Sequence, residues 1–293
     1  MGKYSIKDLE KLSGVKAHTI RIWEKRYGVI NPDRTNTNIR TYCDEDLKKL
    51  LNIAVLNQHG YKISKIAKFD KSELNEKVAG LGHSHVPLVV HVDRLVVAMI
   101  DMDREKFNDV VEECTASYGF EQACLGVIYP FLEKIGVLWT IDQVHPAQEH
   151  FISHLIRQKM LVAIDKQQEL PLKGKKFILF LKEGEYHEIG LLFYHYVLTA
   201  LGHEVVYLGQ SVPYKDVLNV VEWHKGDALV TAFVANISKE EMCEYMTSVS
   251  TESGDLPIIA LGAMANKCID IDHRNIHICS SVGMFKQQVA DLF

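Results

Sequence analysis

No stretch of this 293-residue sequence runs to eighteen apolar residues, so nothing in it reads as a membrane-spanning helix. The opening Met1-Gly2-Lys3-Tyr4-Ser5 lacks the apolar core of a secretory signal, and the charged residues after Gly2 suit a myristoylation site poorly. No C-x-x-C pair occurs: the six cysteines, Cys43, Cys114, Cys124, Cys243, Cys268 and Cys279, are scattered. Such spacing is poor material for a disulfide framework or a structural zinc site, and leads us to expect reduced thiols in a cytoplasm. Internal repeats and low-complexity tracts are missing as well.

What is present has the balance of a globular chain, with 47% hydrophobic and 24% charged residues. The length exceeds one ordinary core and implies two or three domains. Charge is unevenly spread. Residues 1–80 carry 16 Lys and Arg against 10 Asp and Glu, whereas the remainder carries 17 against 28. A basic head on an acidic body suggests a polyanionic partner for the head alone.

Pattern divides the chain into three: residues 1–78, 79–170 and 171–293. The first reads as short helices separated by turns. Ser5 is placed to cap a helix with Asp8 three residues on, Ser13-Gly14-Val15 is a tight turn, and Ala17–Tyr27 is a second amphipathic helix. Gly28–Tyr42 should be irregular, and Glu45–Gln58 a third helix. A linker is expected over residues 79–91, with Gly80, Gly82, Pro87 and three His. Helical segments near 92–100, 103–117, 119–137 and 146–168 then suggest a four-helix bundle. From Lys173 the texture becomes strand–helix alternation, opened by the apolar run Phe177–Leu181 and repeated at Glu204–Leu208, Ala228–Val234, Pro257–Leu261 and Ile276–Cys279. Five parallel strands with helices between them make an α/β doubly wound, flavodoxin-like sheet.

Helix, glycine turn, helix is the helix-turn-helix pattern, whose second helix enters the major groove. Ile20 and Trp23 of that helix should be core, leaving His18, Thr19, Arg21 and Lys25 for the groove. Arg34, Arg40 and Tyr42 fall in the irregular segment, where a wing would contact phosphates. The run G-V-x-x-x-T-I-R-x-W-E-K-R-Y-G, then P-x-R-T, I-R-x-Y and Gly60-Tyr61-Lys62-Ile63, resembles the MerR family of transcription regulators over residues 4–70. Asn38 stands where the family commonly has glycine. The resemblance implies a winged helix-turn-helix that binds double-stranded promoter DNA.

In a doubly wound sheet, ligands sit at the carboxyl ends of strands. There the sequence places Glu185-Tyr186-His187-Glu188-Ile189-Gly190, a histidine that could ligate a metal beside a carboxylate that could orient its ring. Thr231-Ala232-Phe233 ends a later strand and Gly262-Ala263 follows the next. The set is similar to the D-x-H-x-x-G, S-x-L, G-G motif of methionine synthase and related cobalamin-binding proteins, with Glu for Asp, Thr for Ser, Phe for Leu and Ala for the second Gly. The resemblance implies that His187 is the lower cobalt ligand and Glu185 its orienting carboxylate. It gives Thr231 a hydroxyl contact to the nucleotide tail, and Gly190, Gly262 and Ala263 a place in the channel lining.

Trp139 ends one bundle helix, and Pro146 should open the next with Glu149 and His150 in its first turn. The W-x9-E-H spacing resembles the CarH and LitR family of light-sensing regulators, whose MerR head, bundle and cobalamin domain follow the same order. By that resemblance Trp139 packs on the upper face of adenosylcobalamin, with Glu149 beside it. His150 can take the upper cobalt position once light has broken the cobalt–carbon bond. The protein is then expected to be a cytoplasmic, light-responsive transcription regulator, a repressor rather than an enzyme, whose dimer or tetramer state and DNA binding follow the cofactor. Three other readings stay open. His150 and His154 share a helical face and could bind zinc; the chain could be a corrinoid methyl carrier or methyltransferase protein; or it could regulate genes independently of light.

Overall fold

Ser5 starts the first helix, α1 (Ile6–Ser13), because its hydroxyl accepts from the Asp8 N–H at 3.3 Å while the Asp8 carboxylate accepts from the Ser5 N–H at 2.7 Å. Gly14, at φ +71°, ends α1, and α2 (Ala17–Tyr27) runs over the expected residues until Gly28 ends it in the same left-handed conformation. The computed structural model describes residues 3–79, 88–140, 144–167, 174–235, 237–268 and 273–293. Its chain divides into two compact units, Met1–Leu155 and Ile156–Phe293.

Gly28–Tyr42 contains a short antiparallel ribbon, β1 (Asp33–Arg34) on β2 (Arg40–Thr41), with Arg34 opposite Arg40. Its tip places Asn38 at φ +63°, a conformation open to glycine and, among other residues, most readily to asparagine. The next helix, α3 (Asp44–Gln58), begins one residue before the expected start, since the Asp46 carboxylate accepts from the Cys43 N–H at 3.0 Å. Short α4 (Ile63–Ile66) and α5 (Lys71–Ala79) follow. Leu9, Leu12, Ile20, Leu47, Leu50 and Leu56 are all buried here; each such side chain contributes about 1.5–3 kcal/mol.

The helical region consists of α6 (Leu88–Asp101), α7 (Arg104–Tyr118), α8 (Phe120–Ala123), α9 (Tyr129–Thr140) and α10 (Pro146–Asp165). A π turn, Cys124–Ile128, joins α8 to α9. Pro130 explains it: the ring has no N–H for the carbonyl one turn back, and a widened turn accommodates the loss. The linker expected over 79–91 needs correction. Leu88–His91 are already helical, and His91 is buried, because the apolar run Leu88–Val92 belongs to the bundle core. Gly80, Gly82 and Pro87 lie outside the described residues.

In the second unit, β3 (Lys176–Lys182), α11 (Ile189–Ala200), β4 (Glu204–Val212), α12 (Tyr214–His224), β5 (Ala228–Ala232), α13 (Lys239–Glu252), β6 (Ile258–Leu261), β7 (Ile276–Ile278) and α14 (Val282–Leu292) alternate as expected. The strands are all parallel, in the order β4-β3-β5-β6-β7, which is the flavodoxin-like order. The order in which strands are added reverses between β3 and β5, and in such sheets the ligand crevice lies beyond the carboxyl ends of the strands at that point. β5 stops at Ala232, two residues before the expected end, and the site explains why. Cys243 in α13 and Cys268 in the turn after β6 form a disulfide, with Cα atoms 6.4 Å apart. This corrects the expectation of unpaired thiols: the fold supplies a proximity that a separation of 25 residues does not reveal. No helix among the described residues is long and apolar enough to cross a membrane.

Candidate functional site

The loop after β3 turns back on itself through Gly184, at φ +84°, with the Glu185 N–H donating to the Lys182 carbonyl at 2.9 Å. This turn buries the Glu185 side chain to 7% exposure beneath the sheet mouth. Its Oε1 accepts from the His187 N–H at 3.0 Å and lies 2.6 Å from His187 Nδ1. Its Oε2 accepts from the N–H groups of Val234 at 2.9 Å and Ala235 at 2.7 Å. These two donors are thereby lost to the ladder, which ends β5 at Ala232. Burial alone would raise the Glu185 carboxyl, but the N–H groups of Ala235, Val234 and His187, with the His187 ring, overcome it and bring the pKa down to about 2.

An ionised carboxylate only accepts, so in the neutral form of the His187 ring the proton sits on Nδ1 and Nε2 keeps its lone pair. The ring is 62% exposed. A fixed tautomer with a bare, accessible Nε2 is the arrangement an imidazole needs to ligate a metal.

Thr231 and Gly262 add two features. The Thr231 hydroxyl is buried at the end of β5 and has no hydrogen-bond partner among the described residues. Such an orphan costs about 1–3 kcal/mol and marks a place where a polar ligand group belongs. Gly262 sits at φ +95°, and a Cβ there would fall 2.5 Å from the Phe233 carbonyl oxygen, so only glycine lets the strand-end loops approach this closely. Around Gly190 a Cβ would meet nothing within 4 Å, and Ala263 is exposed. An orphaned hydroxyl, open space at Gly190 and a bare imidazole nitrogen fit a cobalamin with its tail in the crevice. Glu188, which sequence reasoning left without a role, is buried beside His187. Its carboxylate accepts from Arg157 Nε at 2.6 Å, the Tyr207 hydroxyl at 3.1 Å and Gln210 Nε2 at 3.4 Å. The repeated acid in E-Y-H-E was its only sequence signal.

In the first unit, Trp139 near the end of α9 is 43% exposed, with no hydrogen bond or ring contact among the described residues. Pro146 opens α10 as expected. In its first turn Glu149 Oε2 lies 3.1 Å from His150 Nδ1, and the other carboxylate oxygen accepts from the Ser153 hydroxyl at 2.5 Å. The His150 side chain is 71% exposed. The zinc reading finds no support: no group of three or more His, Cys, Asp or Glu among the described residues could hold a metal. His145 instead caps α10, its Nδ1 accepting from the Ala147 N–H at 3.3 Å.

On α2, Ile20 and Trp23 are buried, His18, Arg21 and Lys25 are exposed and Thr19 is partly exposed. Arg34 is exposed on the wing and donates to Asn38 Oδ1 at 2.7 Å. Arg40 Nε holds the Glu24 carboxylate of α2 at 3.0 and 3.2 Å. Tyr42 is a correction: expected as a phosphate contact, it is only 1% exposed. Its backbone pairs with Tyr4, and its hydroxyl reaches Glu24 Oε2 at 3.4 Å. Burial, then the Glu24 charge, pushes its phenol up to about 12. Glu24, missed in the sequence, ties the wing to the second helix.

Comparison with known proteins gives two family matches: MerR HTH family regulatory protein over residues 4–73 and B12 binding domain over residues 92–163. The HTH-type transcriptional repressor CarH of Myxococcus xanthus is 31% identical over 271 residues, 89% of each chain. The HTH-type transcriptional repressor CarA of the same organism is 23% identical over 264 residues, covering 89% of this chain and 87% of that one. Among solved structures, the monomethylamine corrinoid protein of Methanosarcina barkeri aligns with a TM-score of 0.55 at 17% identity, over 69% of this chain and 98% of that one, a likeness of fold alone.

Proposed function

The chain belongs to the family of MerR-type, cobalamin-binding transcription regulators that includes CarH, and we propose that it is a light-responsive repressor whose oligomeric state and hold on promoter DNA follow adenosylcobalamin. The reading rests above all on the Glu185–His187 pair, 2.6 Å apart at the mouth of a parallel sheet. When bound, adenosylcobalamin supplies a cobalt–carbon bond that light breaks. Everything else falls to the chain.

Residues 171–293 form the cradle. With cobalamin bound, His187 would ligate the cobalt through Nε2, Glu185 would keep the proton on Nδ1, and the Thr231 hydroxyl would find its partner in the nucleotide tail. Gly190, Gly262 and Ala263 leave the tail its channel. Residues 79–170 would form the cap, in which Trp139 and Glu149 would cover the cofactor and His150 would offer a second imidazole to the cobalt. Residues 1–78 read DNA: His18, Thr19, Arg21 and Lys25 meet the groove, while Arg34 and Arg40 meet phosphates from the wing. The state of the cofactor would then act as a population shift between assemblies that hold DNA and assemblies that release it.

The test is a gel shift on DNA from upstream of the protein's own gene, with adenosylcobalamin, in darkness and after green light, for the native chain and for His187→Ala and His150→Ala. The expected result is dark binding released by light, cofactor loss in His187→Ala, and an altered photoproduct spectrum in His150→Ala. Identical affinity in dark and light would remove the light sensor, and unchanged spectra in both variants would falsify the ligand assignments.

A further inference from the structure

Lys134 lies on α9, five residues before Trp139, yet its ammonium reaches the first helix of the DNA-reading head. Its Nζ donates to the Leu12 carbonyl at 2.6 Å and to Asp93 Oδ1, on α6, at 2.5 Å. Leu12 is in the last turn of α1, where helix carbonyls lack intrahelical donors and the helix dipole favours a cation. Ser13 and Gly14 then lead into α2. A shift of α9 therefore pulls on the chain just ahead of the groove-reading helix.

A second connection runs through the other end of α6. Gln148, next to Glu149 on α10, donates from Nε2 to the Ile100 carbonyl at 3.1 Å. Beside Ile100, Asp101 Oδ1 pairs with Lys48 of α3 at 2.6 Å, and Lys48 also pairs with Glu45. The last turn of α6 is thus held by the helix bearing Glu149 and His150 on one hand and by a helix of the head on the other. Both connections lie within the unit Met1–Leu155.

The Asp93 side chain is 3% exposed and that of Lys134 21%. A charge pair so deep in an apolar helix is a poor source of stability, since hydrophobic residues in its place are often neutral or better. What it provides is direction: an ammonium with a carboxylate on one side and one helix-end carbonyl on the other fixes how α1 sits on α6 and α9.

We infer that Lys134 and Lys48 are positioning residues that set the reading head through α6, so that the state of Trp139, Glu149 and His150 is felt at α2. This rests on the reading of a cobalamin-controlled DNA binder and names the residues through which the control passes. Neither lysine is among the residues assigned to the cofactor or to the bases.

The experiment measures the affinity of the full chain for DNA upstream of its own gene, with and without adenosylcobalamin in the dark, for native protein, Lys134→Met, Lys48→Met and the double variant Asp93→Asn/Lys134→Met. Methionine keeps the apolar stem and removes the charge; the double variant removes the carboxylate left alone in Lys134→Met. Hydrogen exchange of residues 6–27 is followed in the same samples. The native ratio of loaded to free affinity should fall by about 5-fold or more in each variant, within the usual range of coupling between sites. Cofactor retention should stay within about twofold of native, and the exchange of residues 6–27 should stop responding to cofactor. A merely structural role would lower loaded and free affinity together and leave their ratio at the native value; that result overturns the inference. A native ratio of one would instead remove cofactor control itself, and this inference with it, a failure seen in the native chain rather than only in the variants.

Discussion

Glu185 and Ala235 meet across the mouth of the sheet, a carboxylate oxygen of one 2.7 Å from the N–H of the other, and this bond links the loop after β3 to the loop after β5. The same carboxylate that fixes the His187 tautomer therefore also sets the width of the crevice. In Glu185→Gln the carboxamide has one acceptor oxygen where four N–H groups need partners, and its own NH2 faces donors. The loss should be at least ~2 kcal/mol of stability in the second unit, read by urea denaturation. Cobalamin affinity should fall about 10–100-fold, read by spectrophotometric titration. Native-like affinity in this variant would show that the pair does not orient the ligand.

The depressed Glu185 carboxyl also fixes a pH slope. Its folded pKa of about 2 lies below its ordinary 4.5, so the stabilisation is fully present above about 4.5 and is lost as pH falls towards 2. The change amounts to roughly 3 kcal/mol at most. Asp93 acts in the opposite sense. Burial raises it from 3.8 to about 6 although Lys134 pulls it back, so its ionisation is a cost, absent below about 3.8 and complete above about 6. Urea midpoints of the native chain between pH 3 and 7, followed by separate probes in the two units, should slope in opposite directions. Glu185→Gln should flatten one slope and Asp93→Asn the other.

How much of this was legible depended on how local each cause is. The bounds of α2 were readable because Gly14 and Gly28 bracket an amphipathic run, and the five strands because each is a short apolar block. The end of β5 was not, since the N–H groups of Val234 and Ala235 are claimed by a carboxylate about 50 residues earlier. Ribbons of two residues, such as β1 and β2, are too short to show alternation. The Glu185–His187 pair was visible because two residues suffice to place it. The hold of Lys134 on Leu12 spans 122 residues, and its only trace was an acid, Asp93, set among the valines and leucines of α6.

At the wing, Asn38 does the work of a glycine and adds a bond to Arg34. Asn38→Gly should keep the tip conformation and lose only the side-chain bond, changing DNA affinity by less than about threefold. Asn38→Ala keeps neither. A Cβ without a local hydrogen bond in the left-handed region costs about 1–2 kcal/mol. The expected outcome is a wing that frays and a DNA affinity roughly tenfold lower by gel shift, with cobalamin binding untouched. Equal behaviour of the two variants would mean that the tip conformation is irrelevant to binding.

Thr231 separates a cofactor site from an inherited fold, because the two demand opposite signs. Its buried hydroxyl lacks a partner among the described residues, so Thr231→Val exchanges an unsatisfied polar atom for a methyl of similar size. In the cofactor-free protein that should raise stability by ~1 kcal/mol, the relief of an orphaned group. In the presence of cobalamin the sign reverses: the valine has nothing to offer a polar tail, and affinity should fall by about 5- to 10-fold, the worth of one hydrogen bond. Denaturation with and without cobalamin, on native protein and Thr231→Val, gives both numbers from one pair of proteins. A fall in cofactor-free stability would mean that the hydroxyl is satisfied within the protein, and an unchanged affinity would mean that the tail does not reach it. Only a gain in one and a loss in the other is consistent with a hydroxyl held in reserve for a ligand.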